Sequence, residues 1–499
     1  MKILPIFILI CFTAGYVIAQ QVACPLEKNN YQKVTSYEEL TAFVNQLDAG
    51  TDLLTVETIG QSVQGRNLYA LKFSSGEFGK DKSKVKVLFF AQQHGNEQSG
   101  KEGALLLAQA LTSPENKYLF DKIDFAIIPQ MNPDGSEANK RRNGNSMDLN
   151  RNHLILTEPE TMALHRFFDK YLFEVSMDVH EYSPYGEDWE KYGYRKNADE
   201  TLGSTTNPNI SENIRKFSNT EAMPFVFDYF KKNNFSSFVY CPGGPPEVDY
   251  IRHSTFDIND GRQSLGILNT ISFIQEGMNG KDDSIENIRH RSEGQMTGML
   301  GMLKFIYSHK DQAKKLVAEG RKELITAKPG EKISIQSEHV RTGQKLSIPL
   351  YSYFSKKDST VVVNDYRPVV KTITDVQKPA GYLIPKQAKN LVEWAGKHAL
   401  VIQDFKMQKG LKIEQYFIRR IDSIDFEREI IINPVVEGTE FSGNILPSDY
   451  LYIPTDQLKG NLIILALEPK SELGLVTYKE YAQLLRIGET FPVLRVVKK

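Results

Sequence analysis

The chain has 499 residues, with 61 Lys and Arg against 62 Asp and Glu, for a formal net charge of −1. A balance this even gives no support to nucleic-acid binding or to a patch for an anionic membrane. The length and the 40% hydrophobic content suit a soluble chain of two or three domains with real cores.

Met1-Lys2 is a short basic head, Ile3 to Val17 is an apolar run, and Val17-Ile18-Ala19 has the small-residue character of a cleavage site. Residues 1–19 therefore read as a signal peptide, and the run is short for a spanning helix. The expected location is secreted or periplasmic, with no membrane span after signal cleavage. A lipid attachment at Cys24 is disfavoured by polar Gln21, where such a site wants an aliphatic residue. Cys11 leaves with the signal. Cys24 and Cys241 remain, either joined in one disulfide or kept as two thiols.

Downstream, Tyr37 to Leu47 has a helical pattern. Thr55-Ile59 and Leu68-Phe73 read as strands of a hairpin around Val63-Gln64-Gly65-Arg66. Val87 to Ala91 is an apolar, β-prone run that ends in a polar turn holding His94 and Glu97, and the helical pattern Ala104 to Leu111 follows. Ile123 to Pro129 is a further strand, closed by the turn signal Asn132-Pro133-Asp134-Gly135. Glu158 to Tyr171 is helical, Val175 to Val179 is a buried strand ending at His180, and Ser211 to Ala222 is helical again. Residues 199–260 are loop-rich, Thr270 to Gln275 is a strand ending at Glu276, and helical patterns run from Ile285 to Lys322. This alternation predicts an α/β fold, a sheet covered by helices on both faces. After Pro329-Gly330 the texture changes. The runs Lys332-Ile335, Thr360-Val363, Glu429-Ile432 and Leu462-Leu467 read as strands of a separate, mostly β domain. The expected division is a catalytic domain over residues 20–328 and a β-rich domain of unassigned role over 329–499.

A lone His-x-x-Glu pair is weak evidence, and the chain has a second one, His290 with Glu293, in a polar helical stretch with no strand leading into it. His94 and Glu97 differ because a strand delivers them and because His180 is delivered in the same way. Two nitrogens and one carboxylate leave the fourth tetrahedral position open, the arrangement of catalytic zinc. No His-Glu-x-x-His motif is present, which excludes the helix-borne class of zinc protease. Asp148 is a candidate to orient the His94 ring, although a turn-capping aspartate is the competing reading. Glu276, carried from a buried strand into a cleft, has the setting of a general base. Arg141, Arg142, Asn150 and Arg151 crowd one loop, where a cation would either stabilise an oxyanion or grip a substrate carboxylate.

In order, His94-Gly-Asn-Glu97, Asn132-Pro-Asp-Gly135, Met147-Asp-Leu-Asn-Arg-Asn152, His180 and Phe273-Ile-Gln-Glu276 form a pattern that resembles the zinc metallocarboxypeptidases of the carboxypeptidase A type. The resemblance spans about Tyr31 to Tyr307. It implies a mixed, mainly parallel sheet and one zinc ion held by His94, Glu97 and His180. It also implies Glu276 as the base that activates water and Arg141 at the oxyanion. Asn150 and Arg151 map onto the pair that grips the free C-terminal carboxylate of a peptide substrate, and Tyr250 is the nearest match to a mobile tyrosine, with Tyr240 in the same loop. The chain departs from the pattern at Glu181, where the family has a small residue. Glu181 is expected to alter zinc affinity or face a basic substrate group. Arg262 lies where the family places its side-chain pocket and is expected to meet an acidic substrate side chain, or else to pair with a neighbouring aspartate. The C-terminal segment resembles tails of bacterial members. The function implied is a zinc-dependent carboxypeptidase; a zinc deacylase acting on N-acyl amino acids is the alternative, and an inactive binding protein is disfavoured because every catalytic position is filled.

Overall fold

The strands richest in apolar residues lie at the centre of one mixed sheet. The computed structural model describes residues 22–281, 284–426 and 429–498, so the expected signal peptide lies outside the described residues. Eight strands build the sheet: β1 Leu54–Gln61, β2 Asn67–Phe73, β3 Val85–Ala91, β4 Ile123–Ile128, β5 Val175–Tyr182, β6 Glu200–Ser204, β7 Ser237–Val239 and β8 Ile271–Met278. Their spatial order is β1-β2-β4-β3-β5-β8-β6-β7. The inner pairs β4/β3, β3/β5 and β5/β8 are parallel, while β1/β2, β2/β4 and β6/β8 are antiparallel. Burial on both faces explains why β3 and β4 are mostly apolar, with Lys86 and Asp124 as the exceptions.

Helices cover this sheet. The long helix Ile288–Thr326 packs on β3, on β8 and on the helix Gln98–Leu111, while Tyr37–Gly50 and Pro159–Tyr171 pack against β1. The β1–β2 hairpin turns through Gly65, whose φ of +81° is left-handed and favours glycine.

Two strands run further than their apolar patterns suggest. β5 continues past Val179 to Tyr182 and β8 past Gln275 to Met278, because the two strands pair in parallel register with Glu276 opposite His180 and Met278 opposite Tyr182. Polar residues that look like strand ends are therefore held inside the ladder.

The C-terminal part combines small sheets. Lys332–Val340 pairs with Val369–Gln377. Leu346–Ser352 pairs with Lys357–Val363 on one side and with Tyr194–Lys196, from before position 329, on the other. Five strands, Glu429–Glu440, Leu411–Phe426, Leu494–Lys498, Gly381–Pro385 and Tyr450–Pro454, form the largest of these sheets. Leu462-Leu467, expected as a strand, lies instead in the helix Gly460–Leu467, and all eight residues of that helix are buried. A short run that is apolar on every face carries no period by which helix and strand can be told apart. One hydrophobic core takes residues from both sides of position 329, from Cys24 through Phe173 to Trp394 and Val493.

Cys24 and Cys241 are both buried free thiols, Cys24 in that main core and Cys241 in a smaller cluster beside Trp189 and Ile251. Among the described residues, no helix is long and apolar enough to cross a membrane.

Candidate active site

The turn that follows β3 is built for close approach. Gly95 donates its backbone N–H to Arg141 O at 3.1 Å, and Glu97 donates to His94 O at 3.1 Å. A Cβ at Gly95 would stand 2.1 Å from the carbonyl carbon of Gly135, so only glycine lets this turn lie against the helix Pro133–Glu137. The turn then opens directly into the helix Gln98–Leu111, leaving His94 and Glu97 at the sheet rim.

Among the described residues, His94, Glu97 and His180 are the one group whose donor atoms could hold a metal ion. These atoms all lie within 4.8 Å of one another, and the three side chains are buried. His94 Nδ1 lies 2.7 Å from Glu97 Oε1, His180 Nδ1 lies 2.9 Å from Glu97 Oε2, and the two Nδ1 atoms are 3.2 Å apart. Two ring nitrogens this close, facing one carboxylate, are stable only with a proton or a cation between them.

The outward nitrogens are backed by acids. His94 Nε2 lies 3.1 Å from Asp148 Oδ1, and His180 Nε2 lies 2.9 Å from Asp178 Oδ1. An Nε2 hydrogen directed at a carboxylate leaves the Nδ1 lone pair facing inward, the form in which imidazole binds a metal. The donor set thus fits zinc. Burial opposes ionisation here, but neighbouring charges override it. The Glu97 carboxyl is held well below the usual range by His94 and His180, and the Asp148 carboxyl by His94 and Arg141. The His180 imidazolium is favoured by Asp178 and Glu97 in spite of its burial.

Glu276 sits beside His180 by strand register. Burial, together with the Glu97 charge, pushes its carboxyl above the ordinary value, against the pull of His180, His94 and Lys196. Arg141 stands half exposed at the mouth, with Nη1 at 3.6 Å from Glu97 Oε1 and Nη2 at 3.0 Å from Asp148 Oδ2. Arg142 points elsewhere and donates to Ser146 O. Asn150 reaches the site, with Nδ2 at 3.3 Å from His180 Nε2. Arg151 is exposed, and its guanidinium is favoured by the charges of Asp257, Asp148 and Asp260 in spite of desolvation.

Arg262 takes the second of its two expected settings, while Tyr250 and Glu181 sit differently from theirs. Arg262 is fully buried; its guanidinium donates to Ser254 Oγ and pairs with Asp260 Oδ2 at 3.1 Å, so the neighbouring aspartate holds it rather than an open pocket. Tyr250 lies under the Arg367 guanidinium, 3.8 Å from ring centroid to cation, and lines a surface cavity with Trp189 and Asp425. It is Tyr240 that stands by this loop, facing Arg262 at 5.6 Å and acting on the Arg151 charge. Glu181 turns away from the metal cluster, since successive strand residues face opposite sides. Its carboxylate accepts from Ser99 Oγ and pairs with Arg291 at 2.6 Å. His290 pairs with Asp199 at the surface and Glu293 with Arg289, as expected for an exposed helix face.

Sequence reasoning missed Asp178 and Gln93. Asp178 was within reach, because it stands two residues before His180 and strand alternation puts both on one face. Gln93 carried no such signal.

Residues 40–225 match a family model described as zinc carboxypeptidase. Carboxypeptidase 2 of Trichophyton rubrum is 22% identical over 476 residues, covering 93% of this chain and 86% of that protein. Carboxypeptidase D of Mus musculus is 27% identical over 250 residues, covering 44% of this chain and 18% of that protein. A solved metallo-carboxypeptidase from Burkholderia cenocepacia has 19% sequence identity and a TM-score of 0.42, covering 56% of this chain and 71% of that one.

Proposed function

We propose, from the premise that this chain belongs to the zinc metallocarboxypeptidase family, that His94, Glu97 and His180 hold one zinc ion and that Glu276 serves as its general base. The observation that carries this reading is the convergence of three buried donor side chains within 4.8 Å, with Glu276 in register beside one of them.

When bound, zinc supplies Lewis-acid polarisation and makes water nucleophilic at neutral pH. Glu276 accepts a proton from the attacking water and passes it to the amine that leaves as the C–N bond breaks. Arg141, half exposed beside Glu97, donates to the oxyanion of the tetrahedral species; one such donor is worth about 3–4 kcal/mol. Asn150 and Arg151 bind the free carboxylate of the C-terminal residue. An internal peptide bond would leave their hydrogen bonds and charge unmatched, which confines cleavage to the chain end. Asp148 and Asp178 hold the two imidazoles in their inward-facing form. With residues 1–19 as export signal, the substrates are peptides outside the cytoplasm.

The test is a mass-spectrometric assay of zinc-loaded protein on peptides with free or amidated C-termini and on N-acyl amino acids. Stepwise release of single C-terminal residues from the free peptides is expected. Hydrolysis confined to the N-acyl amino acids would replace the peptidase reading with that of a deacylase.

A further inference from the structure

Behind the candidate site, three buried side chains that the proposed reaction does not use, Gln93, His153 and His165, lead up to Asn150. Gln93 and His153 have no accessible surface, and Asn150 has 6%. Gln93 Nε2 donates to Asp178 Oδ2 at 2.8 Å and to Asn150 Oδ1 at 3.1 Å. His153 Nε2 lies 2.7 Å from Gln93 Oε1, and His153 Nδ1 lies 3.0 Å from His165 Nε2.

These partners settle where the hydrogens are. A carboxylate only accepts, so the Gln93 NH₂ faces Asp178 and its oxygen faces His153. That oxygen also only accepts, so the hydrogen lies on His153 Nε2, and His153 Nδ1 accepts from His165. Burial agrees with this: it lowers His153 to about 4 and His165 well below its ordinary value, so both rings are neutral at pH 7.

The consequence falls on Asn150. Its Oδ1 accepts from Gln93 Nε2 and from Gly261 N at 2.8 Å. A flipped amide would set its NH₂ against both of those donors. The Asn150 NH₂ is therefore on the side of His180, with Nδ2 3.3 Å from His180 Nε2. Gly261 holds its side of this arrangement closely, since a Cβ there would meet Asp178 Oδ2 at 2.5 Å and Gln93 Nε2 at 2.7 Å.

The far end of this series is anchored by residues from beyond position 329. Leu154 O, next to His153, accepts from Trp394 Nε1 at 2.9 Å and from His398 Nε2 at 2.8 Å. His153 N donates to Asn259 O, and the Asn259 side chain donates to Tyr478 OH at 3.0 Å.

We propose that Gln93 and His153 are positioning residues for the substrate-carboxylate grip, locking Asn150 with its NH₂ on the side of His180, and that the C-terminal region keeps His153 in place through Leu154. This rests on the grip assigned above to Asn150 and Arg151.

Calorimetry on metal-free protein, where nothing is turned over, tests it with N-acetyl dipeptides and their C-terminal amides. Wild-type protein is expected to prefer the free carboxylate at least tenfold. Gln93→Met keeps the volume and removes the hydrogen bonds; the preference should fall below about threefold while binding of the amides is unchanged. His153→Phe should erode it in the same direction, and it serves as the readout if Gln93→Met does not fold. A Gln93→Met protein that keeps the full preference, or that weakens acid and amide alike, overturns the inference alone. A wild-type protein without preference overturns the grip itself, and with it the role of Gln93.

Discussion

Replacing Gly95 by alanine adds one methyl group between His94 and Glu97, where the structure has no room for it. The new Cβ would stand 2.1 Å from Gly135 C and 2.4 Å from Ser136 N, both backbone atoms. Carbon contacts relax at about 3.5–4.0 Å, so the overlap amounts to roughly 1.5 Å. Gly135 cannot retreat, because its own α-carbon faces the Asn132 side chain and Arg142 O, and its N–H is bonded to Asn132 Oδ1 at 2.8 Å. The turn must move instead, and it carries two of the three candidate ligands. Overpacking of this kind costs about 1–3 kcal/mol in stability. The larger effect should fall on the metal, since ligand distances tolerate only about 0.2 Å. A misplacement near 1 Å is expected to lower activity about 100-fold. Zinc affinity is read by competition with a chromophoric chelator, and melting of the zinc-free protein isolates the folding component. An alanine variant that binds zinc within twofold of wild type and retains full activity would refute the reasoning, because the turn would then have space that the structure denies it.

Glu276→Gln should lower kcat by about 10²–10⁴-fold while zinc remains stoichiometric by elemental analysis; unchanged turnover removes the base role. Acid should destabilise the fold through histidines that burial holds neutral. His153 sits at about 4, and His398 and His339 at about 3 each, against an ordinary 6.5. Below pH 6.5 the unfolded chain takes up protons that the folded one refuses, so stability falls from pH 6.5 toward pH 4, by about 3 kcal/mol from His153 alone. Urea midpoints at pH 7.5 and 5.0 measure this, and equal midpoints would contradict it. Chelation of zinc should lower the melting temperature, because a ligand at 100 times its Kd stabilises the folded state by about 2.7 kcal/mol. A melting temperature indifferent to chelator would mean that zinc is not held by the folded state.

Much of the candidate site was legible because its parts are local. The apolar strand, glycine turn and helix around His94 and Glu97 form one continuous segment, and each element has its own pattern. His180 and Glu276 were legible as polar residues closing apolar runs. The departures have equally local explanations. The side to which Glu181 turns follows from strand alternation, whereas the helix Gly460–Leu467 was misread because uniform apolarity carries no period.

Taken by itself, the amino-acid order determined which donor types exist and which strand or turn mounts each of them, since pattern and turn chemistry act over a few residues. Tertiary structure alone decided the partners: Glu276 beside His180, Gln93 between Asp178 and Asn150, Tyr240 rather than Tyr250 near Arg151, and the C-terminal Trp394 and His398 on Leu154. The physical reason is that β3, β5 and β8 lie side by side although 83 residues or more separate their ends in sequence, as His180 is from Glu97. Pairing over such distances is set by the burial of the whole sheet, which no short stretch of sequence encodes.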